Sequence, residues 1–262
     1  MNGIINFLRR NPLCIFISKI IHWDDLKAWR IKRNNYIFKF REIKPRFYLP
    51  YYQNDYIQTR IYQNHNYFER KNLDYVCKQW KNGIVGKYIK GKNVLDIGTN
   101  IGNHTLYFFF ECQINASYNF EPIENTLEIF KKNVQINNLI NRVHIYNVAV
   151  GSNEGKANIL SFNKDNIGAT QLAINENGEL PIISIDSLKL HDLIGLIKVD
   201  VEGFEIDALK GMKETLKRHK PYIIIEIKDE LFENALNILS NLKYNYIKLD
   251  SFETYADYLF FQ

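Results

Sequence analysis

Val94-Leu95-Asp96-Ile97-Gly98-Thr99-Asn100-Ile101-Gly102-Asn103-His104 is an apolar strand running into a glycine-bearing turn, and Thr105-Leu106-Tyr107-Phe108 continues it as a helix. A second strand, Ala116-Ser117-Tyr118-Asn119-Phe120, ends in the acid Glu121 and the turn residue Pro122. In an open parallel sheet, ligands sit beyond the carboxyl ends of the strands where the strand order reverses, and an acid on the neighbouring strand reaches ribose hydroxyls. Glu121 stands in that place. The turn therefore reads as a cofactor site built from Asp96, Gly98, Thr99, Asn100, Gly102, Glu121 and Pro122.

The charge of the turn selects among nucleotide cofactors. A dinucleotide fold places G-x-G-x-x-G around its pyrophosphate, and a P-loop adds Lys and Ser or Thr after its last glycine. Neither pattern occurs; the spacing is Gly98-x-x-x-Gly102, with Asp96 just before it and no lysine inside. A carboxylate there repels phosphate but attracts an amine or sulfonium, while the helix N-terminus favours a small carboxylate. S-adenosylmethionine carries all of these groups.

Further along, Glu124 to Leu139 has helical periodicity and Arg142 to Val150 reads as a third strand, with Asn147 and Val148 at its end as candidates to line an adenine. Alternating β and α elements predict a parallel sheet with helices on both faces. Leu196-Ile197-Lys198-Val199 is another strand, and Asp200 and Glu202 follow it where the chain turns at Gly203. These two acids are the leading catalytic pair, since a carboxylate within hydrogen-bond reach can accept a hydroxyl proton; an N-cap role for the following helix is the alternative. Glu226 ends the next apolar run as a second base, an orienting group or, with Asp200, an oxygen ligand for a divalent cation. No metal ligands are assigned and the need for a metal is left open. His104, one turn into the first helix, is the remaining catalytic candidate.

Together with Asn147-Val148-Ala149-Val150-Gly151, Asp200-Val201-Glu202-Gly203-Phe204-Glu205 and Leu209-Lys210-Gly211, these segments resemble the FkbM family of S-adenosylmethionine-dependent methyltransferases over about residues 60 to 262. The resemblance implies a class I Rossmann-like α/β sheet of about seven mostly parallel strands, closed by an antiparallel C-terminal edge built from 244–249 and 257–261. It also implies O-methylation of a sugar hydroxyl, in a nucleotide-linked sugar or a surface glycan of capsule or lipopolysaccharide type. A polyketide or other small-molecule acceptor, or a nucleic-acid-binding or methylating protein of the same fold, is the alternative. No RNP, KH or zinc-knuckle pattern is present, so nucleic acid is not expected as a partner.

Three cysteines in 262 residues, widely spaced and without C-x-x-C, argue against a disulfide frame or structural zinc and point to a cytoplasmic home. The chain divides into an N-terminal extension, 1–80, and a methyltransferase domain, 81–262. Residues 1–93 hold 19 Lys/Arg against 6 Asp/Glu, and residues 94–262 hold 15 against 23, so the extension is the basic part. Its first 22 residues are apolar but interrupted by Arg9, Arg10, Pro12 and Lys19, short of the ~18–20 apolar residues of a membrane span. They suit a helix packed on its own domain or on a second copy in a homodimer, or an interfacial helix on the inner membrane face. From Asn34 to Phe68 the aromatic residues alternate as strands do, in Tyr36–Arg41 and again in Asp55–Ile61, and Leu73–Trp80 has helical spacing. The loop containing Asn166 and Gly168 follows a strand and overlies the site, where loops supply specificity or act as lids.

Overall fold

The computed structural model describes residues 36–161, 163 and 165–262. The proposed membrane or dimer helix in residues 1–22, and Cys14, lie outside the described residues. Two short antiparallel strands, β1 (Ile37–Lys39) and β2 (Arg46–Tyr48), come first. Helices α1 (Tyr56–Asn64), α2 (Arg70–Asp74) and α3 (Ile84–Ile89) follow, with a π-helical turn at Tyr75–Gln79 after α2. Strand and helix then alternate through β3 (Asn93–Ile97), α4 (Asn103–Glu111), β4 (Ser117–Phe120), α5 (Glu124–Ile136) and β5 (Val143–Tyr146). A separate four-stranded sheet is inserted next: β6 (Ala149–Val150), β7 (Gly155–Ser161), β8 (Gln171–Ile174) and β9 (Leu180–Ile183). The remainder is β10 (Ile194–Val199), α6 (Glu205–Lys210), α7 (Lys213–His219), β11 (Tyr222–Lys228), α8 (Phe232–Asn241), β12 (Asn245–Ser251) and β13 (Tyr255–Phe261).

The central sheet has seven strands in the order β12-β13-β11-β10-β3-β4-β5. The pairs from β11 to β5 are parallel, and β13 runs antiparallel to both β11 and β12. This is the mostly parallel sheet with an antiparallel C-terminal edge anticipated from the sequence. From β3 the chain moves outward through β4 to β5, then returns to place β10 on the other side of β3. The strand order thus reverses between β3 and β10, which opens a crevice at their carboxyl ends.

Every residue of β3 and β10 is buried because both faces of the sheet are covered. Successive side chains point to opposite faces. Val94 and Leu196 join one cluster with Leu106, Phe108 and Phe130, while Leu95, Ile97, Ile197 and Val199 join the other with Leu209, Met212 and Leu239. Phe38, Phe47, Ile61, Tyr67 and Leu73 belong to the first cluster. Residues 36–80 therefore share one core with the helices on that face of the sheet. No helix among the described residues is long and apolar enough to cross a membrane.

Two sequence expectations are corrected. Asp55–Ile61 is not a strand: Asp55 is the N-cap of α1, its carboxylate accepting the Gln58 N–H at 3.0 Å, and Gln58 and Ile61 bury one helical face at i and i+3. Gln58 is held there because its side-chain oxygen accepts the Tyr51 N–H at 2.9 Å. The run Arg142–Val150 is likewise not one strand. It breaks at Asn147-Val148, so β5 stays in the central sheet and β6 starts the inserted one. Asn147 stabilises the break by donating its amide to the carbonyls of Glu121 and Pro122.

Candidate active site

At the end of β3 the chain enters a turn in which Gly98, Asn100 and Gly102 all have left-handed backbones, with φ of 78°, 53° and 86°. A Cβ on Gly98 would lie 1.7 Å from the carbonyl oxygen of Asp200, and one on Gly102 would lie 2.2 Å from the Phe130 ring. Glycine is required at both by close approach as well as by φ. The Thr99 hydroxyl donates to the Asp96 carbonyl at 2.7 Å and closes the turn.

Glu121 clamps this turn from the neighbouring strand. One carboxylate oxygen accepts the Asn100 N–H and the other the Ile123 N–H, both at 2.9 Å. Burial pushes the Glu121 carboxyl up to about 7, against the pull of those two N–H groups and of Lys198. Beyond Glu121 opens a cleft of about 430 Å³, within the usual range for small-molecule sites. Gly98, Asn100, Glu121, Pro122 and Val148 line it at this end, with the apolar side chains of Phe120 and Ile123.

The wall contributed by β10 and β11 is acidic. Asp200, Glu202 and Glu226 each present a carboxylate oxygen, and these oxygens all lie within 4.8 Å of one another. Burial and then the Asp200 charge push Glu226 up to about 9, with Asp257 and Glu202 adding to it. Glu202 is pushed up to about 7 by burial and Asp200. Asp257 on β13 is pushed up to about 7 by burial and by Glu69. Like charges this close cannot all ionise at neutral pH, so the wall holds protons that it can donate and keeps carboxylates that accept. Oxygen ligands grouped in this way also have the chemistry of a divalent-cation site. Lys228, Tyr56, Phe68 and Tyr255 complete this part of the cleft.

Of the sequence candidates, Gly98, Asn100, Glu121, Pro122, Val148, Asp200, Glu202 and Glu226 thus line one cleft, and the others stand behind it. Asp96 does not face the cleft, contrary to its expected contact with a cationic ligand. It is fully buried; the Thr105 hydroxyl lies 2.5 Å from Oδ2, and Oδ1 sits 3.9 Å from the Lys198 ammonium. Thr99 and Gly102 shape the turn, and Asn147 braces Glu121 and Pro122 from outside. His104 pairs with Glu69 at 3.1 Å and borders a second cavity of about 30 Å³, where it shares the lining with Lys198, Asp200, Glu226 and Asp257. Glu69 is brought there by Asn103, whose amide side chain exchanges two hydrogen bonds with the Phe68 backbone. Lys198, Glu69 and Asp257 were not anticipated. Only Lys198 had a local signal, a charge inside an otherwise apolar strand.

The methyltransferase FkbM domain family matches residues 96–246. A curated relative, Methyltransferase 1 of the fungus Beauveria bassiana, is 25% identical over 146 residues, covering 46% of this chain and 58% of that protein. The chain therefore spans little more than half of that relative. Among solved structures, methyltransferase FkbM from Methylobacillus flagellatus is 20% identical with a TM-score of 0.49, covering 65% of this chain and 44% of the other. Fibrillarin of Aeropyrum pernix, solved with natively bound S-adenosyl-L-methionine, is 10% identical with a TM-score of 0.43, covering 67% and 68%.

Proposed function

The chain belongs to the FkbM methyltransferase family, and from that premise we propose that it is an S-adenosylmethionine-dependent O-methyltransferase acting on a sugar hydroxyl, within a nucleotide-linked sugar or a surface glycan. The residues at the Glu121 end fit the cofactor. Glu121 is acceptor-only when ionised, and each of its oxygens keeps a lone pair for a ribose hydroxyl after binding its backbone N–H. Phe120, Ile123 and Val148 give a flat base an apolar slot. No lysine or arginine of the turn awaits a phosphate. When bound, the cofactor supplies an electrophilic methyl group on a sulfonium.

The observation that carries the acceptor reading is the acidic wall. Asp200, Glu202 and Glu226 face the same cleft as Glu121, with the rings of Tyr56, Phe68 and Tyr255 alongside. Such a wall suits a ligand rich in hydroxyl donors and disfavours phosphate, so the phosphates of a nucleotide-linked acceptor belong away from it. Asp200 accepts the hydroxyl proton, held in place by Lys198 at 3.0 Å. Glu226, protonated at neutral pH, donates to and orients the acceptor.

Thermal unfolding with S-adenosylhomocysteine tests the cofactor half, since a ligand at 100 times its Kd adds about 2.7 kcal/mol. Radiolabelled methyl transfer to a panel of neutral sugars and nucleotide sugars tests the acceptor half. Asp200→Asn should retain the thermal shift and lose methyl transfer by about 10²-fold or more. Loss of both in equal measure would overturn this division of roles.

A further inference from the structure

Lys198 lies near the end of β10, in a strand whose residues are all buried, and its side chain is only 7% exposed. In the parallel register it pairs with Asp96 on β3 and Ile224 on β11, so these side chains leave the same face of the sheet. Its ammonium donates to the Gly98 carbonyl at 3.1 Å and to the Asp200 carboxylate at 3.0 Å. Asp96 Oδ1, 3.9 Å away, has no hydrogen-bond partner among the described residues. The other charged groups lining the two adjoining cavities are Glu69, His104, Glu121, Glu202, Glu226, Lys228 and Asp257.

Taking an ammonium out of water is costly, and a buried ion pair can often be replaced by packed apolar side chains without loss of stability. The rest of β10 is apolar apart from Gly195, so packing alone does not call for lysine. An apolar side chain cannot, however, hold two oxygens that belong to the ends of two different strands, the Gly98 carbonyl after β3 and the Asp200 carboxylate after β10. Gly98 belongs to the turn beside Glu121, and Asp200 to the wall that faces the acceptor. We propose that Lys198 is a positioning residue whose single ammonium ties the cofactor turn to the acceptor-side carboxylate and so sets the distance between the two halves of the reaction. Alignment is the main contribution available to a displacement of this kind, and a small misplacement carries a large rate penalty. The inference rests on the methyl-transfer reading above for its purpose, though the tie itself is measurable without any ligand.

The test uses the full chain as wild type, Lys198→Met, Asp200→Asn and the double variant, with two readouts. The first is thermal unfolding without ligand. Lys198→Met leaves the buried Asp96 carboxylate and the partly exposed Asp200 beside it without their shared cation. Lys198→Met and Asp200→Asn remove the same ion pair, so the double variant should be clearly less destabilised than the sum of the two single variants. A role in packing alone gives additive effects, and that result would overturn the proposal. The second readout is calorimetric binding of S-adenosylhomocysteine, expected about 10-fold weaker in Lys198→Met and unchanged in Asp200→Asn. Binding within twofold of wild type in Lys198→Met would overturn it equally. Should Lys198→Met fail to fold, Lys198→Gln keeps a neutral donor for Gly98 and removes the cation, and the same two readouts apply. If the wild type does not bind S-adenosylhomocysteine, the methyl-transfer reading fails, and the coupling between Lys198→Met and Asp200→Asn alone decides whether Lys198 ties Gly98 to Asp200.

Discussion

Replacing Glu121 with glutamine perturbs the end of the cleft proposed above for the cofactor, with almost no change of shape. Both oxygens of Glu121 accept backbone N–H groups, those of Asn100 and Ile123. Glutamine keeps one oxygen and turns an NH₂ toward the other N–H, leaving a buried donor unsatisfied at about 1–3 kcal/mol. A ribose hydroxyl would also lose a charge-assisted partner, worth about 1.5–3 kcal/mol, so affinity for S-adenosylhomocysteine should fall about 10- to 150-fold. The wild-type carboxyl makes a second, independent signature. Burial pushes it from an ordinary 4.5 to about 7, so the folded protein holds this proton more tightly than the unfolded chain does. Stability is then lost as pH rises from about 4.5 through 7, by up to about 3 kcal/mol from this group at 1.36 kcal/mol per pH unit. A ligand that donates to the ionised carboxylate reverses part of that, so binding below pH 7 releases protons and tightens as pH rises toward 7. Calorimetric titration in buffers of different ionisation enthalpy measures the proton release directly. Wild-type affinity independent of pH from 5.5 to 8, or Glu121→Gln binding within threefold of wild type, would refute the assignment of Glu121 to the ribose.

Two further outcomes follow from the geometry. Gly98→Ala would place a methyl 1.7 Å from the Asp200 carbonyl at a φ of 78°, where the left-handed backbone alone costs about 1–2 kcal/mol; it should lower Tm and abolish binding of S-adenosylhomocysteine, whereas Gly155→Ala, with nothing within 4 Å, should do neither. Glu226 is pushed up to about 9 by burial and neighbouring acids, so its proton is favoured in the fold and stability falls as pH rises from about 4.5 through 9; Glu226→Gln should flatten the Tm profile between pH 5 and 9, and an unchanged slope would show that the acids of this wall do not interact.

The turn after β3 was legible in the sequence because its determinants are local. An apolar run, glycines at 98 and 102, and an acid closing the next apolar run all reflect backbone demands within a few residues. Asp200, Glu202 and Gly203 were legible for the same reason, as polar residues ending a buried strand. The segment Asp55–Ile61 misled because seven residues with alternating Tyr, Ile and Thr satisfy a period of 2 as well as a helical face, and only the Asp55 cap distinguishes the two. Glu69 and Asp257 carried no signal at all. They reach the site from the residue before α2 and from β13, and nothing near them in the chain records that the fold brings them beside His104, Lys198 and Glu226.

Asp96 shows most clearly what local reading omits. Its place before the turn made it the natural partner for a cationic ligand, yet the register of β3 with β10 puts Lys198 directly beside it. The protein's own ammonium meets that charge from inside the sheet. Carboxyl groups therefore line the cleft at both ends, Glu121 at one and Asp200, Glu202 and Glu226 at the other, and a buried lysine draws on both Asp96 and Asp200. In this arrangement two acids at the ends of adjacent strands do different work. On the proposed reading, the acid that follows β4 receives a ligand's hydroxyls, and the acid on β3 stabilises the cation that ties the two strand ends together.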